Sequence, residues 1–196
     1  MTTANLEVDT FKEIARALSA RPECVWVDSA QSRDGGLDLI VHCAKSDRGR
    51  MIGKEGVIFE ALKGFFRAVG TFNGTRRLYL YLEPEENATE NVPEGVVPEE
   101  CEALEDAALL EVMVSALVER RECVKVTETD ATDGGNGTNL TISVARPDRG
   151  RVIGKGGSII ESMKAIFRAI GTFDGTRRVY LHLEQEDVIR SATSAA

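Results

Sequence analysis

Long hydrophobic runs are absent from this 196-residue chain. No apolar stretch approaches the roughly 18 residues that a membrane-spanning helix needs. The first residues, MTTANLEVDTFKEIA, include acidic side chains and lack the positive-then-apolar pattern of a secretory signal. We therefore expect a protein without a membrane span or a signal peptide.

Cysteine and histidine are scarce, and their spacing suits neither a metal site nor a disulfide framework. The four cysteines contain no C-x-x-C pair, and the two histidines are not near them in a ligand pattern. Cys24 and Cys123 occupy equivalent places before apolar runs, which predicts buried, reduced thiols in a reducing cytoplasm. We expect no metal and no cofactor.

Catalytic patterns are also missing. A nucleotide-binding P-loop requires G-x-x-x-x-G-K followed by Ser or Thr. Here Gly150 precedes Gly154 by four positions, and the lysines at 54 and 155 are followed by Glu55 and Gly156. No Ser/His/Asp or Cys/His arrangement recurs along the chain, so we expect a protein that is not an enzyme.

Basic residues are absent from positions 83–106, which carry ten of the acidic ones. The formal charge of the whole chain is −8, so removing this segment leaves the remainder at about +2. The acidity therefore lies mainly in one segment, and the low pI does not by itself argue against a polyanionic partner.

The chain contains an internal repeat. DRGRMIGKEG at positions 47–56 returns as DRGRVIGKGG at 148–157, and residues 39–83 match residues 140–184 at 27 of 45 positions without a gap. We predict a first domain at 1–83, an acidic Pro/Glu-rich linker at 84–101, a second domain at 102–185 and a tail at 186–196.

The order of elements can be predicted within each copy. Phe11, Ile14, Ala15 and Leu18 recur at helical spacing, and two apolar runs around a Gly-rich turn predict a hairpin. A short helix, a glycine loop, a longer helix and a last strand follow, with Gly70 and Gly171 expected to close the longer helix in a left-handed conformation. The predicted fold class is α+β, with a three-stranded sheet covered on one face by helices (order α-β-β-α-α-β).

The glycine loop is the strongest functional signal. It lies at the start of a helix, where unpaired N–H groups and the helix dipole favour anions, and its glycines let a ligand approach the main chain. A tight turn between helices would need the same glycines. The repeated pattern Ile-Gly-Lys-x-Gly in this order of elements favours a binding role.

This pattern resembles the bacterial-type (type II) KH domain, in two tandem copies, each similar to the small single-domain KH proteins of bacteria (KhpA type). The resemblance implies that each loop clamps the backbone of single-stranded RNA or DNA, beside a groove walled by helix isoleucines and the second hairpin strand. The binding residues it implies, with the neighbouring arginines predicted from their charge, are Gly53, Lys54, Glu55, Gly56, Gly154, Lys155, Gly156, Gly157, Arg48, Arg50, Arg149 and Arg151.

Other basic positions and the partner remain open at this point. Arg76-Arg77 and Arg177-Arg178 suit phosphate or a solvated strand start equally. The spacing of Lys63 with Arg67, and of Lys164 with Arg168, favours a plain solvated helix face over phosphate binding. Glu55 places a carboxylate in the first loop, so we expect the second copy to dominate affinity. The alternative function is a protein–protein scaffold that docks on a ribosome or an RNA polymerase through degenerate KH folds.

Overall fold

The structure is a computed structural model that describes residues 3–74, 77–84, 104–131, 137–173 and 177–184. The predicted tail and the predicted linker beyond Pro84 lie outside the described residues. The predicted domain boundaries therefore stay a prediction.

The first copy has the predicted order of elements. Its helices and strands are α1 (Thr3–Leu18), β1 (Trp26–Gln31), β2 (Leu37–His42), α2 (Arg48–Ile52), α3 (Val57–Phe72) and β3 (Leu78–Leu82). β1 and β2 form the antiparallel hairpin, and β3 pairs with β2 in parallel, with Leu39 opposite Leu80. The sheet order β1-β2-β3 leaves one backbone edge of β3 open.

The second copy repeats this arrangement. Its elements are α4 (Asp106–Leu117), β4 (Lys125–Asp130), β5 (Gly137–Ser143), α5 (Arg149–Ile153), α6 (Ser158–Phe173) and β6 (Arg178–Leu183). β5 lies between β4 and β6 and pairs in parallel with β6. The described residues of the two copies thus form two three-stranded sheets and six α-helices.

The core of each copy lies between the helices and one face of its sheet. The helical stripe predicted for α1 is confirmed, since Phe11, Ile14, Ala15 and Leu18 are completely buried. On β2, Leu39 and Val41 alternate with half-buried residues, as expected for a strand with one face on the core.

The two copies pack against each other through their helices. α3 lies against α6, and α1 lies against α4. The start of α3 meets the end of α6, so these two helices run antiparallel. The contacts are reciprocal: Arg50 lies over the ring of Phe173 at 4.8 Å from its centroid, and Arg151 lies over Phe72 at 5.1 Å. The copies are therefore related by an approximate two-fold axis between α3 and α6.

Two details differ from the sequence-based predictions. Gly70 and Gly171 do not end their helices, which continue to Phe72 and Phe173, and neither glycine has a positive φ. At Gly171 the reason for glycine is space, because a Cβ there would lie 2.2 Å from the carbonyl oxygen of Arg177. Cys24 is buried as predicted, whereas Cys123 is exposed although it ends the equivalent 3-10 turn of the second copy.

Within the described part of the chain, no helix has both the length and the apolar character needed to cross a membrane.

Candidate nucleic-acid interface

Each glycine loop turns the chain through a left-handed backbone between two helices. In the first loop (residues 53–56) φ is +75° at Gly53, +56° at Glu55 and +80° at Gly56. In the second loop (residues 154–157) the equivalent glycines have nearly the same angles, with Gly156 at +62° in place of Glu55. The two loops therefore share one backbone shape despite the different third residue.

The two outer glycines of the first loop serve different purposes. A Cβ on Gly53 would lie 2.5 Å from Cγ1 of Ile58, so this glycine is needed for the loop to pack on α3. A Cβ on Gly56 would meet nothing within 4 Å. The backbone at Gly56 is therefore bare and open to an approaching ligand.

The loop lysines lie in front of the long helices. No side chain caps the start of α3 at Gly56, so its first N–H groups are left for a ligand. Lys54 and Lys155 are exposed, and neither forms an ion pair with any residue of the described segments. One positive charge thus stands beside the anion-favouring end of each helix dipole.

Two of the four predicted binding arginines hold the end of a strand. Arg48 donates from Nη1 to the carbonyl oxygen of Glu83, and Arg149 does the same to Glu184. Arg48 also lines a groove, described below, so its guanidinium remains beside the surface that the first loop borders.

The other two predicted arginines contribute to packing between the copies. Arg50 Nε lies 3.7 Å from Oδ1 of Asp47 while its guanidinium covers Phe173. Arg151 lies near Asp148 and Glu119 and covers Phe72. Their charges remain near the loops, but their positions are set by the interface.

A groove of about 530 Å³ runs beside the first loop. It lies between α2, α3 and the open-edged strand β3. Its lining residues are Arg48, Ile52, Phe59, Lys63, Arg67, Leu78, Tyr79, Leu80, Tyr81 and Leu82. The floor is apolar and the rim is basic, an arrangement that suits a flat base attached to a phosphate chain.

The groove corrects two assignments made from sequence. Its strand wall is β3 rather than the second hairpin strand, because β2 is the central strand and both of its edges are paired. Ile52 lines the groove and is 39% exposed, whereas Ile58 is buried under Gly53. Lys63 and Arg67 both lie on the groove, although Lys63 also pairs with Glu60 at 2.9 Å.

One end of the β3 wall is fixed by a hydrogen-bonded cluster. Tyr79 donates its hydroxyl to Asp34, and Arg77 lies 3.4 Å from the same carboxylate. The hydrogen bond from Tyr79, followed by that from the Gly36 N–H, lowers the pKa of Asp34. Asp34 therefore stays ionised at neutral pH and holds Tyr79 at the groove.

Of the predicted basic pair Arg177-Arg178, the first residue forms an ion pair within the fold. Arg177 Nη2 lies 2.9 Å from Oδ2 of the buried Asp106, at the start of α4. Arg76 lies outside the described residues.

Sequence reasoning missed the role of Asp47 and Asp148. Asp47 is 1% exposed and accepts hydrogen bonds from the backbone N–H groups of Ala20 and Arg21, at 3.1 and 3.0 Å. Asp148 accepts the equivalent pair from Glu119 and Arg120, both at 3.2 Å. The signal was an aspartate present in both repeats, but its partners lie 26–29 residues away and only the fold brings them together.

Among the described residues, no group of three His, Cys, Asp or Glu side chains could hold a metal ion. The features that recur in both copies are the glycine loop, its exposed lysine and the helix behind it. The α-β-β-α-α-β order with this loop places each copy in a class of small α+β domains.

Comparison with protein families supports this class for one copy. Residues 107–183 match the family model described as KhpA/KhpB, KH domain. The second copy is thus similar to a bacterial type II KH domain, and KH domains in general bind RNA. No curated protein matches the chain. No solved structure matches it either.

Proposed function

We propose that this protein binds single-stranded RNA without catalysing a reaction, and that both glycine loops clamp the RNA backbone. The observation that carries the proposal is the exposed lysine, without an ion pair to any described residue, in a left-handed loop at the start of a long helix in both copies. The family match covers the second copy only. We extend the proposal to the first copy because its loop has nearly the same φ angles and because the two copies share 27 identities in 45 positions.

The groove supports the same function for the first copy. Phosphates held at Lys54 would continue along Arg48, Lys63 and Arg67. Bases would then face Ile52, Phe59 and the backbone edge of β3, where recognition of splayed single strands takes place in KH domains. Single-stranded DNA has the same backbone charge, so competition between RNA and DNA oligonucleotides measures the preference.

Packing of the copies allows the two clamps to act on one RNA strand together. Because α3 and α6 hold the copies together, the second clamp is held near an RNA that the first has captured, which raises its effective concentration. Weak contacts at each loop would then combine into useful affinity. The carboxylate of Glu55 opposes phosphate, so we propose that the second loop contributes more of the charge-dependent binding.

The test replaces Lys54-Glu55 and Lys155-Gly156 together by Asp-Asp pairs in the full chain. We expect oligonucleotide affinity to fall by at least tenfold in fluorescence polarisation, with an unchanged circular dichroism spectrum. The unaltered protein should lose affinity with salt at a slope of about −0.7 per neutralised phosphate.

A control variant changes basic residues outside both loops and the groove. Arg121→Asp combined with Lys125→Asp alters two exposed positions of the second copy and should change affinity by less than threefold. Full affinity in the loop variant would refute the clamp. Purification of the protein with a ribosome or polymerase component and no RNA would instead favour a protein–protein scaffold.

A further inference from the structure

A second concave site lies on the other side of the first loop, and it exists only because the copies pack together. This inter-copy cleft has a volume of about 390 Å³. The first copy contributes Lys54, Glu55, Val57 and Ile58, and the second copy contributes Ala165, Arg168, Ala169, Thr172 and Phe173 from the end of α6. Its volume lies within the range of roughly 300–1,000 Å³ that is typical of small-ligand sites.

The lining of the cleft combines an open apolar surface with positive charge. Val57 is 58% exposed and forms part of the apolar lining. Arg50 lies over the ring of Phe173, and Arg168 is exposed at the rim without an ion pair to any described residue. An apolar wall between cations suits a flat aromatic group that carries a phosphate.

Glu55 in the cleft is not explained by the fold. Glu55 is the one non-glycine residue with a positive φ in the described segments, and the second loop uses glycine at the same place. A left-handed conformation at a side chain other than glycine costs on the order of 1 kcal/mol. Glycine would serve the loop better.

Phosphate binding does not explain Glu55 either. A carboxylate beside Lys54 repels a phosphate, and Glu55 forms no ion pair with another described residue. A strained and exposed carboxylate at the edge of an apolar cleft, without an ion pair to any described residue, is available to accept hydrogen bonds from N–H donors of a ligand.

We infer that the inter-copy cleft is a nucleobase subsite, in which Glu55 reads guanine in the RNA strand that the first loop clamps. Guanine presents two adjacent N–H donors, N1–H and the N2 amino group, on its Watson–Crick edge. A carboxylate accepts both at once, and charge-assisted pairs of this kind are about twice as strong as neutral ones. Val57 and Phe173 supply the apolar walls, and Arg168 supplies a cation for the adjacent phosphate.

This inference rests on the proposed function, and it adds base selectivity to it. Uridine offers a carboxylate only one N–H donor on the same edge, so a uridylate strand is the natural reference. The second loop has Gly156 in place of Glu55 and lacks the carboxylate. Selectivity for guanine should therefore depend on the first copy, although the second loop contributes more of the backbone affinity.

The test measures binding of the full chain to a fluorescent ten-nucleotide oligouridylate and to the same strand with guanosines introduced. We expect the unaltered protein to bind the guanosine-containing strand at least fivefold more tightly. Glu55→Gly, which copies the second loop and relieves the positive φ, should remove this preference and bind oligouridylate at least as tightly as before. Glu55→Gln, which keeps the shape without the charge, should lose most of the preference.

A further variant tests the cleft rather than the loop. Val57→Ser alters an exposed wall residue, so it should leave the thermal unfolding unchanged and reduce the guanine preference several-fold. If Glu55→Gly increased the affinity for both oligonucleotides by the same factor, the inference would be overturned, since Glu55 would then act only by repelling phosphate. The clamp would remain supported. Absence of binding to either strand by the unaltered protein would overturn the proposed function together with the inference.

Discussion

Asp47 joins two helices through a single buried carboxylate. Its oxygens accept the N–H groups of Ala20 and Arg21, which follow the end of α1, while its own main chain leads into α2. Replacement by alanine removes both charge-assisted hydrogen bonds, one from an exposed residue and one from a half-buried residue. A hydrogen bond to a charged group contributes about 1.5–3 kcal/mol.

We therefore expect Asp47→Ala to lower the free energy of unfolding by about 2–4 kcal/mol. Urea denaturation followed by circular dichroism measures this change. Asp9→Ala, at an exposed aspartate, is the matched control and should stay within about 0.5 kcal/mol of the unaltered protein. A loss of less than 1 kcal/mol at Asp47 would contradict the linking role.

At the residue scale, sequence could identify candidates but not their partners. Lys54 and Lys155 were predicted as loop cations, and both are exposed beside a helix start. Arg50 and Arg151 were grouped with them because charge near a loop suggests phosphate. Their stacking on Phe173 and Phe72 depends on contacts between copies more than 70 residues apart, which no local pattern encodes.

At the scale of the element, the first loop depends on two glycines to different degrees. Gly53 has φ +75° and no room for a Cβ, since Ile58 Cγ1 would lie at 2.5 Å. Gly56 has φ +80° and open space. Alanine at Gly53 adds a steric clash to the conformational strain, whereas alanine at Gly56 adds the strain alone.

We expect Gly53→Ala to cost about 3 kcal/mol of stability, from strain and the clash with Ile58 together, and Gly56→Ala about 1 kcal/mol, from strain alone. Gly49→Ala is the control, because it lies in α2 with no atom within 4 Å of the added Cβ and without a positive φ. Thermal unfolding of the three variants ranks their losses of stability. Equal losses for Gly53→Ala and Gly56→Ala would contradict the packing of Gly53 on Ile58.

Periodicity predicted the elements well because local patterns determine them. The apolar spacing of α1 and the hairpin turn needed no knowledge of the rest of the chain, and both are confirmed. The predicted ends of α3 and α6 were wrong because a glycine can either end a helix or leave room for a close neighbour. Gly171 accommodates the close carbonyl of Arg177, a contact with a segment beyond the helix rather than a helix stop.

At the scale of the whole molecule, the repeat predicted two copies, but their packing could not be predicted. Small residues occur on both facing helices: Gly64 approaches Ser162, and a Cβ on Gly64 would lie 3.1 Å from Oγ of Ser162. Small side chains also serve solvated surfaces, so the sequence alone did not distinguish an interface from an exposed face. The cleft that contains Glu55 could not be predicted either, because it is formed by this packing.

The packing of α3 on α6 predicts that the copies stay together after the chain between them is cut. With a specific protease site inserted between positions 85 and 103, we expect the two halves to elute together in size-exclusion chromatography after complete cleavage. Gly64→Arg forces a long side chain against α6 and should weaken association of the cleaved halves by at least tenfold. Gly49→Arg adds the same residue at an open position and should leave them associated.

Separation of the halves without any substitution would mean that α3 and α6 meet only while the chain is intact. In that case the inter-copy cleft would depend on the linker, and guanine selectivity would be lost on cleavage while each loop kept its affinity for phosphate.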